Sequence, residues 1–184
     1  MPSDAETFIE HLHSVFGNED AIHKANADDG GPPVAVFAYH DIPEPGMVTG
    51  VTYGLSLCNF AAWKLSRPEM IVSVNSTSLD WSFSDATFVA MFRTEKAFKY
   101  GDVFTTGVPI AADSAMNGFF VFAQSILDDD AASVQLERYK VRFSQFYPIY
   151  GDEVEVYQRI GLEAFWNHKD FDMYDIHRKP IRAQ

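Results

Sequence analysis

Six histidines, His11, His13, His23, His40, His168 and His177, are the obvious candidates for metal ligation and general-base chemistry. His11 and His13 stand two apart in a segment of helical pattern, so their side chains diverge and cannot close on one ion. No His-Glu-x-x-His pair or comparable ligand spacing occurs. Asp128-Asp129-Asp130 puts three carboxylates in a row, but without the alternating spacing and central glycine of a calcium loop. It reads as a solvated turn. The single cysteine, Cys58, can form neither an internal disulfide nor a multi-thiol zinc site. No activating base adjoins it in sequence, and the inert reading is the simpler one. No serine sits in a Gly-x-Ser-x-Gly elbow. The glycines at 30–31, 46 and 50 lack the spacing and the following lysine of a phosphate loop. The sequence therefore assigns no catalytic residue, no metal ligand and no cofactor. Paired carboxylates across a cleft stay open, because spatial pairs are invisible in sequence.

What remains is recognition by surface residues. Aromatic side chains make up 15% of the chain, and most of them must be core, since an exposed set that large would aggregate. The protein-binding candidates are Tyr53 and Ser56, Asp80 and Trp81, and Asp175 and Arg178. Each has a structural alternative. Tyr53 is in phase with Val51 and Leu55, which suits a core position, and Ser56 falls on the opposite strand face. Asp80 could cap a turn with Trp81 covering the core, and Asp175 with Arg178 could be an ion pair that pins the tail.

The chain holds 26 acidic against 14 basic residues, a net charge of −12. Seven of the acids lie in residues 1–30, with Lys24 as the only base there. Clustered Lys and Arg are missing, which argues against nucleic acid as a partner. An acidic face would speed association with a basic protein, although solubility alone also explains such a charge. No apolar run approaches the ~18–20 residues of a membrane span. The first residues, MPSDAETFIEHLHSVF, have no basic region ahead of an apolar one and do not read as a signal peptide. A single cysteine fits a reducing compartment, so the expectation is a cytoplasmic protein with no membrane partner.

The elements that must position these residues are legible in outline. Ser3 and Glu6 have capping-box spacing ahead of a helix from Asp4 to Phe16, with Phe8, Ile9, Leu12 and Phe16 as its apolar stripe. Residues 18–32 read as a polar loop. Strands are expected at Val34–Tyr39, Val51–Leu57 and Met70–Val74, forming a largely antiparallel meander. Ser84 and Asp85 would open a helix of about fourteen residues with Phe88, Met91 and Phe92 buried and Glu95 paired to Lys99. A short strand at Val103–Val108 follows, then a long hairpin with arms Gly118–Ile126 and Val134–Ile149. Its second arm slips phase at Gln145–Phe146, which predicts a β-bulge, and Pro148 predicts an edge. A last helix is expected from Asp152 to Asn167, burying Val154, Tyr157, Ile160 and Ala164. Gly161 in its middle implies close approach to the sheet.

One ordered set of segments resembles the suppressor-of-fused domain family, in its bacterial single-domain form. The segments are Tyr53-Gly54-Leu55-Ser56, the strand Met70 to Val74, and Gly101-Asp102 with Pro109 behind it. They continue with Phe143 to Ile149, a helix bearing Glu153, Glu155 and Gly161, and Asp175-Ile176-His177-Arg178. The aspartate run at 128–130 is not part of that pattern. The resemblance covers about residues 33–180 and implies binding rather than catalysis. Animal members of the family clamp a short extended peptide, and some bacterial members look like immunity proteins.

The expectation is thus a single α+β domain over 1–184: a mostly antiparallel, mixed β-sheet with helices packed against it. Residues 1–32 would form an N-terminal helix and acidic loop, and 33–180 the suppressor-of-fused-like region. Its function would be non-enzymatic protein binding, with a basic toxin or an extended peptide segment as partner. The alternative is a small-molecule enzyme or ligand carrier that uses a cleft between sheet and helices.

Overall fold

The computed structural model describes residues 2–182. Helix α1 spans Asp4–Phe16, and its capping box forms as expected, with Ser3 and Glu6 satisfying each other's backbone N–H groups. Phe8 and Leu12 are fully buried, with Ile9 and Phe16 packed beside them.

Eight strands follow, β1 (Ala21–Ala25), β2 (Val34–His40), β3 (Val48–Tyr53), β4 (Arg67–Val74), β5 (Val103–Thr105), β6 (Gly118–Ala123), β7 (Ser133–Gln135) and β8 (Lys140–Ile149). The sheet order is β1-β2-β3-β4-β8-β6-β5, with β7 also paired to β8. Among the described residues only the β4–β8 pair runs parallel. Helix α2 (Asp80–Phe92) covers one face, while α1, α3 (Glu153–Ile160) and α4 (Leu162–Trp166) lie on the other. Alternation sorts side chains between the layers: Val34, Val36, Val72 and Phe146 face α2, while Phe37, Val51 and Phe143 face α1. Gly50 is required where α2 crosses β3, since a Cβ there would lie 2.9 Å from the Ser82 Cα.

Several expectations need correction. The polar loop at 18–32 contains β1, which pairs antiparallel with β2 as an edge strand and alternates half-buried and exposed residues. The second strand is Val48–Tyr53 rather than Val51–Leu57. Beyond Tyr53 the backbone leaves the ladder and wraps around Glu69. That buried carboxylate accepts the N–H groups of Gly54 at 2.8 Å and Ser56 at 2.9 Å, plus the Thr52 hydroxyl at 2.7 Å. These bonds replace the lost strand partners. Helix α2 begins at Asp80, not Ser84, and ends at Phe92, so Glu95 and Lys99 lie outside it and form no helical pair. Met91, expected in the core, is 53% exposed. The strand expected over 103–108 closes at Thr105.

No bulge interrupts β8, whose registers with β4 and β6 are continuous. From Phe143 onward the strand is covered on both faces, and a doubly buried strand loses its alternation. Pro148 lies beyond the last β4 pairing but stays opposite Phe119 of β6, so its edge character holds on one side only. The last helix is two: Gly161 separates α3 from α4 at φ 83° and ψ 168°. Nothing lies within 4 Å of a Cβ built there, so a backbone turn, not close packing, explains the glycine. The break turns Ala164 out to solvent.

Candidate functional site

The first turn of α2 anchors the helix from beneath. Trp81 is fully buried and donates Nε1–H to Asp113 at 3.0 Å, and Asp113 also accepts the Ser76 hydroxyl at 2.6 Å. This fixes the helix against the connection that follows β5. With Trp81 turned inward, the residues at 80, 83, 84, 87 and 91 form the opposite stripe at helical spacing. Between that stripe and residues Thr106–Ile110 runs a groove of about 420 Å³, floored by Phe83, Phe88 and Ile110. Met91 and Val108, 53% and 62% exposed, stand on its walls, and Asp80 marks one end.

At Met91 the groove meets a smaller polar cavity of about 230 Å³ lined by Asn26, Asp28, Asp29 and Glu95. Arg93, almost wholly buried, grips Asp29 with two bonds of 2.7 Å and so pins the β1–β2 connection to the end of α2. The Arg93 guanidinium, helped by the Gly31 N–H, holds the Asp29 carboxyl down at about 2. Asp29 is thus neutralised by its partner, while Asp28 and Glu95 make no ion pair among the described residues. The result is an apolar trough with Asp80 at one end and an acidic patch at the other.

Of the six residues singled out in sequence, the structure brings only Asp80 to this groove. Tyr53 ends β3 and packs on Phe8 with ring centroids 4.7 Å apart, and burial pushes its hydroxyl up to about 12. Ser56 is fully buried beside Glu69. Trp81 is core. Asp175 is half-buried and accepts the His177 N–H at 2.8 Å. Arg178 does pin the tail, but its partner is Glu153, reached by both Nη atoms, one at 2.8 Å, rather than Asp175. Met91 and Val108 were not singled out. The helical stripe Phe83, Thr87, Met91 was a usable signal for the first, whereas Val108 depends on a connection of irregular backbone. Among the described residues, no three or more His, Cys, Asp or Glu side chains gather to hold a metal ion, and no helix is long and apolar enough to cross a membrane.

No curated protein matches the chain. Solved structures do. A suppressor of fused homolog from Neisseria gonorrhoeae aligns with TM-score 0.69 at 17% identity, over 97% of this chain and 96% of that one. A chain of a Sufu–Fu complex aligns with TM-score 0.62 at 15% identity, over 97% of this chain and 91% of that one. Drosophila Suppressor of Fused gives 0.61 at 14%, and there this chain spans 51% of the longer protein. These likenesses establish the shared α+β fold. Residues 30–179 match the family described as Suppressor of fused protein (SUFU), and the chain belongs to that family.

Proposed function

We propose that this protein is a non-enzymatic binding module whose groove between α2 and residues 106–110 takes an extended segment of a basic protein partner. The observation that carries the reading is the pairing of half-exposed Met91 and Val108 with acids at both ends of one trough. Apolar side chains of the partner would cover Met91 and Val108, and flanking Lys or Arg would meet Asp80, Asp28 and Glu95. β5 closes the sheet next to this groove, and among the described residues no strand pairs with its outer side. A segment running beside β5 would set alternate side chains over the trough, the usual geometry of strand addition. A Sufu–Fu complex exists for a protein of the same fold, which supports a protein partner. The net charge of −12 supports a basic one. A cytoplasmic immunity protein that neutralises a basic toxin has these properties.

The test is capture from native extract by the tagged protein and by its Met91→Asp and Val108→Asp variants, at low and high salt. A basic protein retained by the wild type at low salt, weakened by salt and lost by both variants, is the expected result. Equal retention by the variants refutes the groove as the binding surface.

A further inference from the structure

Elsewhere the topology gathers positive charge on this acidic chain. β4 and β8 start side by side, Arg67 opposite Val141 and Pro68 opposite Arg142. Trp63 donates Nε1–H to the Ala97 carbonyl at 2.8 Å, tying the segment before β4 to the turn after α2. Residues 63–68, 95–100 and 140–144 therefore meet. They contain six of the fourteen Lys and Arg (Lys64, Arg67, Lys96, Lys99, Lys140 and Arg142) against one acid, Glu95.

A cavity of about 440 Å³ opens among them, lined by Trp63, Phe98 and Tyr100 together with Lys99, Arg142 and Ser144. Ser144 is 7% exposed, and among the described residues its hydroxyl makes no hydrogen bond. Among the described residues the charged ends of Lys99 and Arg142 also form no hydrogen bond or ion pair; Asp102 engages Lys99 through its backbone alone, accepting the N–H and donating to the carbonyl. A guanidinium fork, an ammonium and a hydroxyl with no internal task are donors for a group of several oxygens. Aromatic walls suit a flat body beside it. We propose that this cavity binds a small organic phosphate, an ester whose phosphate sits among Arg142, Lys99 and Ser144 and whose flat body lies on Trp63 and Tyr100. The volume falls in the usual range of small-molecule sites, roughly 300–1,000 Å³. No lining residue is shared with the groove beside α2, so the two readings stand or fall separately.

Isothermal titration with a nucleoside monophosphate, its parent nucleoside and inorganic phosphate tests the assignment, with vesicles of an anionic phospholipid as a fourth arm. The monophosphate should bind saturably and more tightly than either fragment. Arg142→Ala and Lys99→Ala, both at exposed positions, should each weaken it by about tenfold or more. Absence of saturable binding overturns the proposal. So does binding that neither substitution affects, inorganic phosphate matching the ester, or binding to vesicles alone.

Discussion

Asp85 should be a liability that an amide relieves. It lies on the buried face of α2, is wholly buried, and among the described residues neither carboxyl oxygen has a hydrogen-bond partner. Burial, reinforced by the nearby Glu69 carboxylate, pushes its pKa well above the ordinary carboxylate range. In the unfolded chain the same carboxyl ionises near pH ~3.9. Between that pH and its raised folded value the folded state holds a proton that the unfolded state has released. Stability therefore falls as pH rises through this window, by about 1.4 kcal/mol per unit, and is fully present only below the unfolded pKa. Asp85→Asn keeps the shape and removes the ionisation. The variant's advantage over wild type should grow by about 1.4 kcal/mol for each pH unit above ~4 while the folded carboxyl stays protonated. For a domain of this size each kcal/mol corresponds to about 2–4 °C in Tm. Urea unfolding of both proteins at about pH 5, 6 and 7, with m-values compared, isolates the effect, because Glu69 is common to both. An advantage that stays constant with pH, or a variant less stable throughout, would refute the reasoning.

Two further substitutions probe the tail and the helix break. Glu153 is fully buried and accepts both Arg178 nitrogens, the Ile181 N–H at 2.7 Å and the Tyr150 N–H at 2.9 Å. Glu153→Gln leaves a buried guanidinium uncompensated and should cost about 3–5 kcal/mol in urea unfolding, with faster proteolysis at residues 178–182. Gly161→Ala has a sign that decides between two accounts. In a continuous helix alanine would stabilise by about 1 kcal/mol, whereas at φ 83° and ψ 168° it should destabilise by about 1–3 kcal/mol despite the open space around it. Thermal unfolding of the variant reads the sign directly.

Elements written in local pattern were legible. The Ser3–Glu6 box and the stripe Phe8, Leu12, Phe16 place α1 to the residue, and Val34 to Tyr39 marks β2. Errors arose where a distant residue overrides local preference. Ser56 and Leu57 continue a strand alternation, yet Glu69 collects the backbone there and ends the strand at Tyr53. Gln145 and Phe146 break an alternation without a bulge, because the strand has become doubly covered. Ser84 and Asp85 look like a helix start, but the helix begins earlier and buries Asp85. In each case a burial that sequence cannot display decided the outcome.

The same distinction separates the two sites. The groove is built chiefly on one face of one helix, and a stripe of period 3.6 leaves its trace in the order of residues. Asp80 lies ahead of the helix start expected at Ser84, so the stripe reaches it only in the structure, where Trp81 is buried and the other side faces solvent. The cationic cavity has no such trace. A parallel pair such as β4 and β8 needs a long connection, and here more than sixty residues intervene between the two strands. That crossover sets Arg142 beside Pro68, and the bond from Trp63 to Ala97 adds Lys99. Along the chain these cations are scattered among acids, and a net charge of −12 gives no sign of a basic site. Net charge is a property of the chain, whereas a binding site answers to local charge within about a Debye length of ~8–10 Å. A fold with one parallel crossover can therefore present an acidic trough and a basic cavity from a single acidic sequence.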